Sequence, residues 1–247
     1  MGEHYSKKEL GKDMYQFFIE DENAAEDFVT IEGSDVNHIK NVLRMKPGEK
    51  IRVCTRNGQN YFCSISDITE SFVRADILEK EAESTELPCR IYLFQGLPKN
   101  DKMEWIIQKT VELGVYEVIP VAMKNCVVKL DDKKAKSKVT RWQAIAESAA
   151  KQSKRSLIPE VKMPMSYKEA VAYAKKLDVK LVPYEHEHGM AGTKAAMEQI
   201  KKGESIAVFI GPEGGFAPEE IEMVRDEMQL ISLGRRILRT ETAGIAA

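Results

Sequence analysis

Two short apolar runs near the carboxyl end each empty into a glycine-bearing turn. Ser205–Ile210 runs into Gly211-Pro212-Glu213-Gly214-Gly215, and a second run ends at Leu233 before Gly234 and Arg235 to Thr242. Runs this short, punctuated by Gly and Pro, read as strands buried on both faces of a sheet. Glycine lacks the Cβ that keeps backbone N–H and C=O groups away from a ligand. In open α/β sheets the crevice beyond the carboxyl ends of the strands is where cofactors sit. Neither turn carries a Gly-x-Gly-x-x-Gly or Gly-x-x-x-x-Gly-Lys-Ser/Thr pattern, so the usual nucleotide fingerprints do not apply.

The rest of the second half alternates strand and helix. Strand patterns at Ile91–Phe94, Tyr116–Ala122 and Val179–Tyr184 are interleaved with helical ones at Lys102–Leu113, Thr140–Ser153 and Ser166–Leu177. Such alternation implies a largely parallel sheet covered on both faces. Phe17 to Leu78 is instead mostly β, with Asn57-Gly58 as a hairpin turn between Ile51–Arg56 and Tyr61–Ile65. A helix is expected from Ser34, as cap, to Arg44, with Val36, Ile39 and Leu43 on one face. The charged, proline-ended stretch Glu79–Pro88 reads as a linker. The expected organisation is an extension at 1–13, a small β domain at 14–80 and a larger α/β domain at 89–247.

At 247 residues, 43% hydrophobic and 31% charged, the chain is sized and composed for a globular fold. No apolar run is long enough to span a bilayer, and the polar N-terminus has no signal-like core. A cytoplasmic location is expected. Cys54, Cys63, Cys89 and Cys126 lack Cys-x-x-Cys spacing and read as reduced thiols. His186 and His188 alternate with carboxylates, but a solvated loop is the better reading than a metal site, and no metal is expected. From Lys124 to Arg155, ten basic residues stand against three acidic ones, which suits a phosphate backbone or, more blandly, a solvated lysine face.

The two glycine turns, together with Val42-Leu43-Arg44-Met45-Lys46-Pro47-Gly48, Gly96-Leu97-Pro98-Lys99, Asp101-Lys102-Met103-Glu104, Glu112-Leu113-Gly114 and Gln152-Ser153 with Arg155, carry a resemblance. Nearly the whole chain from Met14 resembles the SPOUT methyltransferases, and most of all the RsmE-type enzymes that methylate N3 of a uridine in small-subunit ribosomal RNA. The resemblance implies a trefoil-knotted, mostly parallel sheet with helices on both faces, a PUA-like N-terminal β-barrel, and a homodimer. It also implies a C-terminal helix longer than the one begun at Glu241, so the C-terminus is read as incomplete.

By the same resemblance, S-adenosyl-L-methionine binds among three loops. Leu181, Val182, Tyr184 and Glu185 form the first; Ile210, Gly211, Pro212, Glu213, Gly214 and Gly215 the second. Leu233, Gly234, Ile237, Leu238, Arg239, Thr240 and Thr242 form the third. Uridine N3 must lose a proton to become nucleophilic, so a cation beside O2 or O4 would help. Arg239 is the first candidate, with Glu241 or Glu213 as base. The competing readings are an Arg239 salt bridge to either carboxylate, and Glu241 as a helix-terminal carboxylate capped by Thr240. RNA contact is assigned to His38, Arg44, Lys99, Lys109, Arg141, Gln152, Arg155, Arg235 and Arg236, against a structural histidine at His38 and helix C-terminal capping at Gln152 and Arg155. Asn125-Cys126, Gln16 and Ser148–Ser153 depart from the family pattern at positions expected to touch RNA or the dimer partner. A non-catalytic RNA-binding or ribosome-assembly factor is the alternative.

Overall fold

The computed structural model describes residues 14–81, 84–187 and 189–247. The expected extension at Met1–Asp13, and His188, lie outside them. The chain forms two units, one of residues 1–86 with Lys151–Ile158, the other of 87–150 with Pro159–Ala247.

The first unit is a five-stranded sheet of β1 (Gln16–Ile19), β2 (Phe28–Glu32), β3 (Lys50–Thr55), β4 (Asn60–Ile68) and β5 (Phe72–Glu81), in the order β1-β3-β4-β5-β2. Only the β1–β3 pair is parallel. The β3–β4 hairpin turns at Gly58, whose φ of +85° is the conformation glycine supplies without strain. Its register sets Cys63 opposite Ile51 and Cys54 opposite Asn60, and all four cysteines are free thiols. Burial pushes the thiols of Cys54 and Cys63 up to about 12, so both are inert. The expected helix at Ser34 is shorter and wider than its pattern suggests. Gly33, not Ser34, occupies the cap position; α1 (Ser34–Asn37) then loosens into a π-helical turn at His38–Val42. Leu43 N–H reaches His38 O at 2.8 Å, and the widened turn still delivers Val36 and Ile39 to the core.

Lys151–Ile158 is bound to this sheet by polar contacts that the sequence pattern does not reveal. Gln16 Nε2 donates to Arg155 O at 2.6 Å, Arg52 to Lys154 O at 3.0 Å, and Asn60 Nδ2 to Ser156 Oγ at 2.7 Å.

The second unit contains β6 (Arg90–Gly96), α2 (Lys102–Glu112), β7 (Glu117–Ala122), α3 (Asp132–Gln152), β8 (Glu160–Val161), β9 (Met165–Ser166) and α4 (Tyr167–Ala174). It continues with β10 (Val179–Pro183), α5 (Ala191–Gln199), β11 (Ser205–Ile210), α6 (Pro218–Val224), β12 (Gln229–Ile231) and α7 (Thr240–Ala246). The sheet runs β12-β10-β11-β6-β7-β8, with β9 also on β7, and every pairing is parallel. Gly114 ends the α2 segment at φ +105°. Ser166 caps α4 through a capping box with Glu169. The α3 helix starts eight residues before its expected Thr140 start, because the lysine-rich first turns bury only Ala135 and show no apolar stripe. Phe94 and Phe209, both fully buried, stack at 4.4 Å and 3° between the central strands. Full burial of one such side chain is worth about 1.5–3 kcal/mol.

Candidate active site

Because the sheet is parallel, the exits of β6, β10, β11 and β12 all open at one end. After β6 the chain moves to β7 on one side, while β11 lies on the other, so the strand order reverses at β6. That reversal opens a crevice at the carboxyl ends. A cleft of about 1020 Å³ lies at the same end of the sheet, between the exits of β10 and β11 and the whole loop Ser232–Arg239. Its size reaches the upper end of ligand pockets, about 300–1,000 Å³. The two glycine turns face each other across it.

Close backbone approach holds the β11 turn in place. A Cβ on Gly96 would stand 2.7 Å from Pro212 N, and one on Gly211 would stand 3.2 Å from the Gly215 carbonyl carbon. Thr240 Oγ1 donates to Gly211 O at 2.7 Å and accepts from the buried Gln95 Nε2 at 2.9 Å. Asn125 Nδ2 donates to Gly214 O at 3.0 Å and Gly215 O at 3.3 Å. Asn125, one of the departures, therefore secures the turn. Gly96→Ala should push the turn out against rigid backbone, an overpacking cost of about 1–3 kcal/mol. Calorimetry should show methyl-donor affinity down by about tenfold or more; unchanged affinity would contradict this packing account.

The carboxylates occupy positions not foreseen. Lys102 Nζ lies 3.0 Å from Glu213 Oε1 and 3.1 Å from Glu241 Oε2. Lys99 N–H donates to Glu213 at 3.1 Å. Burial raises the Glu213 carboxyl, but Lys102 and the backbone donors outweigh it and hold it below its ordinary value. For Glu241, burial likewise pulls upward and is overcome by its own backbone N–H, by Lys102 and by Arg239. The lowered values make both weaker bases than an ordinary glutamate while leaving them in the ionised form a general base requires. Neither expected salt bridge to Arg239 forms; Arg239 is exposed on the cleft wall and holds no ion pair among the described residues. Thr240 is not the helix cap either: Arg239 sits at that position and the Thr240 hydroxyl goes to Gly211.

Of the expected cofactor residues, Tyr184, Glu185, Ile210, Gly211, Pro212, Glu213, Gly215, Leu233, Gly234, Ile237, Leu238, Arg239 and Thr240 line the cleft. Leu181 and Val182 do not; they are 1% and 0% exposed within β10 and serve as core. Gly214 faces Asn125, and Glu241 and Thr242 lie on α7 outside the lining. Sequence reasoning passed over Lys102, Phe216, Ser232 and Ala243, which also line it, as does Pro183 at the exit of β10. The Lys102 side chain is polar at the first position of a helix, and only tertiary geometry shows that it points to the cleft. The apolar side chains of Ile210, Phe216, Leu233 and Leu238, sharing the lining with the glycine backbone of Gly211, Gly215 and Gly234, fit an adenosyl group of S-adenosylmethionine. No helix is long and apolar enough to cross a membrane, and no cluster of three potential metal ligands forms, both among the described residues.

Residues 85–247 match the RNA methyltransferase domain family, and residues 31–78 the RNA methyltransferase PUA domain family. The chain is 39% identical over 222 residues to the ribosomal RNA small subunit methyltransferase E of Bacillus subtilis, covering 88% of this chain and 87% of that protein. The chain belongs to the ribosomal RNA small subunit methyltransferase E family. A family member from Neisseria gonorrhoeae, solved bound to S-adenosyl methionine, is similar at 32% identity and TM-score 0.79, with 94% of each chain covered. A protein from Legionella pneumophila, solved in complex with the same cofactor, gives 29% identity and TM-score 0.80, again with 94% of each chain covered.

Within this member of the methyltransferase E family, the RNA-contact candidates divide by exposure. His38, Arg44, Lys99 and Gln152 are exposed, and Arg235 and Arg236 are exposed on the cleft rim. Arg141 is exposed but paired with Glu104 at 2.8 Å, and Lys109 is paired with Glu112 at 2.8 Å and lies over the Trp105 ring. Arg155 does not reach solvent. It is 4% exposed and ion-paired with Glu86, so it is a structural residue. Gln16, 5% exposed, serves the same segment and does not face RNA. The basic run is also less bare than its composition implies. Lys124, Lys134, Lys138, Arg141, Lys151 and Arg155 are all engaged with carboxylates.

Proposed function

We propose that this protein transfers a methyl group from S-adenosylmethionine to N3 of a uridine in small-subunit ribosomal RNA. The observation that carries this reading is the convergence of two glycine turns on one cleft, apolar on one wall and lined by Arg235, Arg236 and Arg239 on its rim. When bound, the cofactor supplies an electrophilic methyl. The chain supplies position. Ile210, Leu233 and Leu238 hold the adenosyl group, the Gly211–Gly215 backbone approaches it closely, and the arginines draw in the RNA phosphates.

The N3 proton has to leave before attack. The proton passes to Glu213 or Glu241 as base, or through them to water, and Arg239 stabilises the remaining uridine anion through O2 or O4. The homodimer and the knotted passage of the C-terminal segment belong to this reading. Exposed Ile237, 88% accessible, and Leu113, 59% accessible, support the former. The packing of α7 on α2 and its contact with β11 support the latter. A cytoplasmic location belongs to the same reading, and a ribosomal RNA substrate supports it. The domain division at 14–80 and 89–247, the first gripping RNA, is part of the same proposal.

Mass spectrometry of ribosomal RNA from cells lacking the protein tests it. A 3-methyluridine that disappears from the small subunit and returns with the restored protein is the expected result. RNA binding without any change in methylation would favour the assembly-factor reading.

A further inference from the structure

Lys102 joins three stretches of chain that are far apart in sequence. It begins α2, Glu213 lies in the β11 turn, and Glu241 lies in the first turn of α7. One ammonium touches both carboxylates, and the three side chains are 25%, 26% and 20% exposed. A fully exposed ion pair would contribute little. Here the groups are largely withdrawn from water, and the ammonium is what separates two like charges. Remove it and Glu213, in the cleft lining, and Glu241, just outside it, repel each other. The other ties on these segments are neutral or backbone bonds: Thr240 to Gly211, Asn125 to Gly214, and Lys99 N–H to Glu213. Lys99 N–H steadies Glu213 and Arg239 favours the charged form of Glu241, but neither bridges the two carboxylates as Lys102 does.

We infer that Lys102 is a positioning residue: its ammonium draws the Gly211–Gly215 turn and the start of α7 onto one wall and so sets the width of the methyl-donor cleft. It acts through those two segments rather than on the reacting atoms. The inference rests on the methyl-transfer reading of this cleft.

The test uses the full chain and its Lys102→Met, Lys102→Arg and Lys102→Met/Glu213→Gln variants. Titration calorimetry with S-adenosylmethionine is combined with hydrogen exchange of the Gly211–Gly215 amides in the cofactor-free protein. Lys102→Met should weaken binding by about tenfold or more and speed exchange in the turn, while exchange in β6 and β11 stays slow. Lys102→Arg should restore both to within about threefold, since a guanidinium can bridge two carboxylates. The double variant should recover part of the loss, because one of the repelling charges is gone. Wild-type-like binding and exchange in Lys102→Met would overturn the inference while leaving the methyl-donor reading standing. So would a loss of protection spread over the whole sheet, or failure of Lys102→Arg to rescue. A wild-type chain that binds no S-adenosylmethionine at millimolar concentration would overturn both.

Discussion

Arg239→Ala should lower kcat for methylation of small-subunit RNA by about 10²–10³-fold, the loss typical when one charge-stabilising donor is removed from a site. Cofactor affinity should change only a few-fold. Arg239 lines the cleft, is exposed, and holds no ion pair among the described residues, so its charge is available to the substrate. The two carboxylates that could have neutralised it are held by Lys102. The competing effect is phosphate attraction, in which case the variant would raise KM and leave kcat alone. Steady-state rates against RNA concentration, at saturating cofactor, separate the two. A kcat within threefold of wild type would remove Arg239 from the chemistry.

Arg155→Ala should destabilise the first unit by about 3–5 kcal/mol, the usual cost of leaving one member of a buried ion pair uncompensated. Arg155 is 4% exposed and Glu86 has a side chain 17% exposed. Glu86 Oε1 also accepts from Ser156 N–H at 2.8 Å, so the carboxylate left behind stays in place without its counter-charge. Exchanging both partners for apolar residues of similar volume should cost much less. Denaturant unfolding followed by circular dichroism reads the difference. A variant as stable as wild type that had lost RNA affinity would return Arg155 to the RNA surface.

The parts of the fold that were legible are those with a local signature. The Ser205–Ile210 run, the Asn57-Gly58 hairpin and the Gly114 stop each carry their cause within a few residues, and the structure has them there. The start of α3 was not legible, because Asp132–Val139 has helix-forming residues but no apolar stripe to reveal the helix. The apolar positions Val36 and Ile39 were legible from their spacing, but the loosening of α1 into a π-turn at His38 carries no local signature.

At the site, the glycines were legible because close backbone approach is a property of the residue itself. The fate of the charges was not. Glu213, Glu241, Arg239 and Arg155 are ionic in any sequence reading, and which pairs form depends on chain crossings that bring residue 102 to 213 and 241, or 86 to 155. Leu181 and Val182 illustrate the converse. They belong to the right strand, but the cleft begins only at Pro183, where that strand ends.

The most direct test of the central claim is a crystal structure of the protein grown with S-adenosylmethionine. The cofactor should lie in the cleft at the ends of β10, β11 and β12, its adenosyl group against Leu233 and Leu238 and its polar edge on the backbone of Gly211 to Gly215. Density for the cofactor anywhere else on the chain, with those two glycine turns untouched, would contradict it.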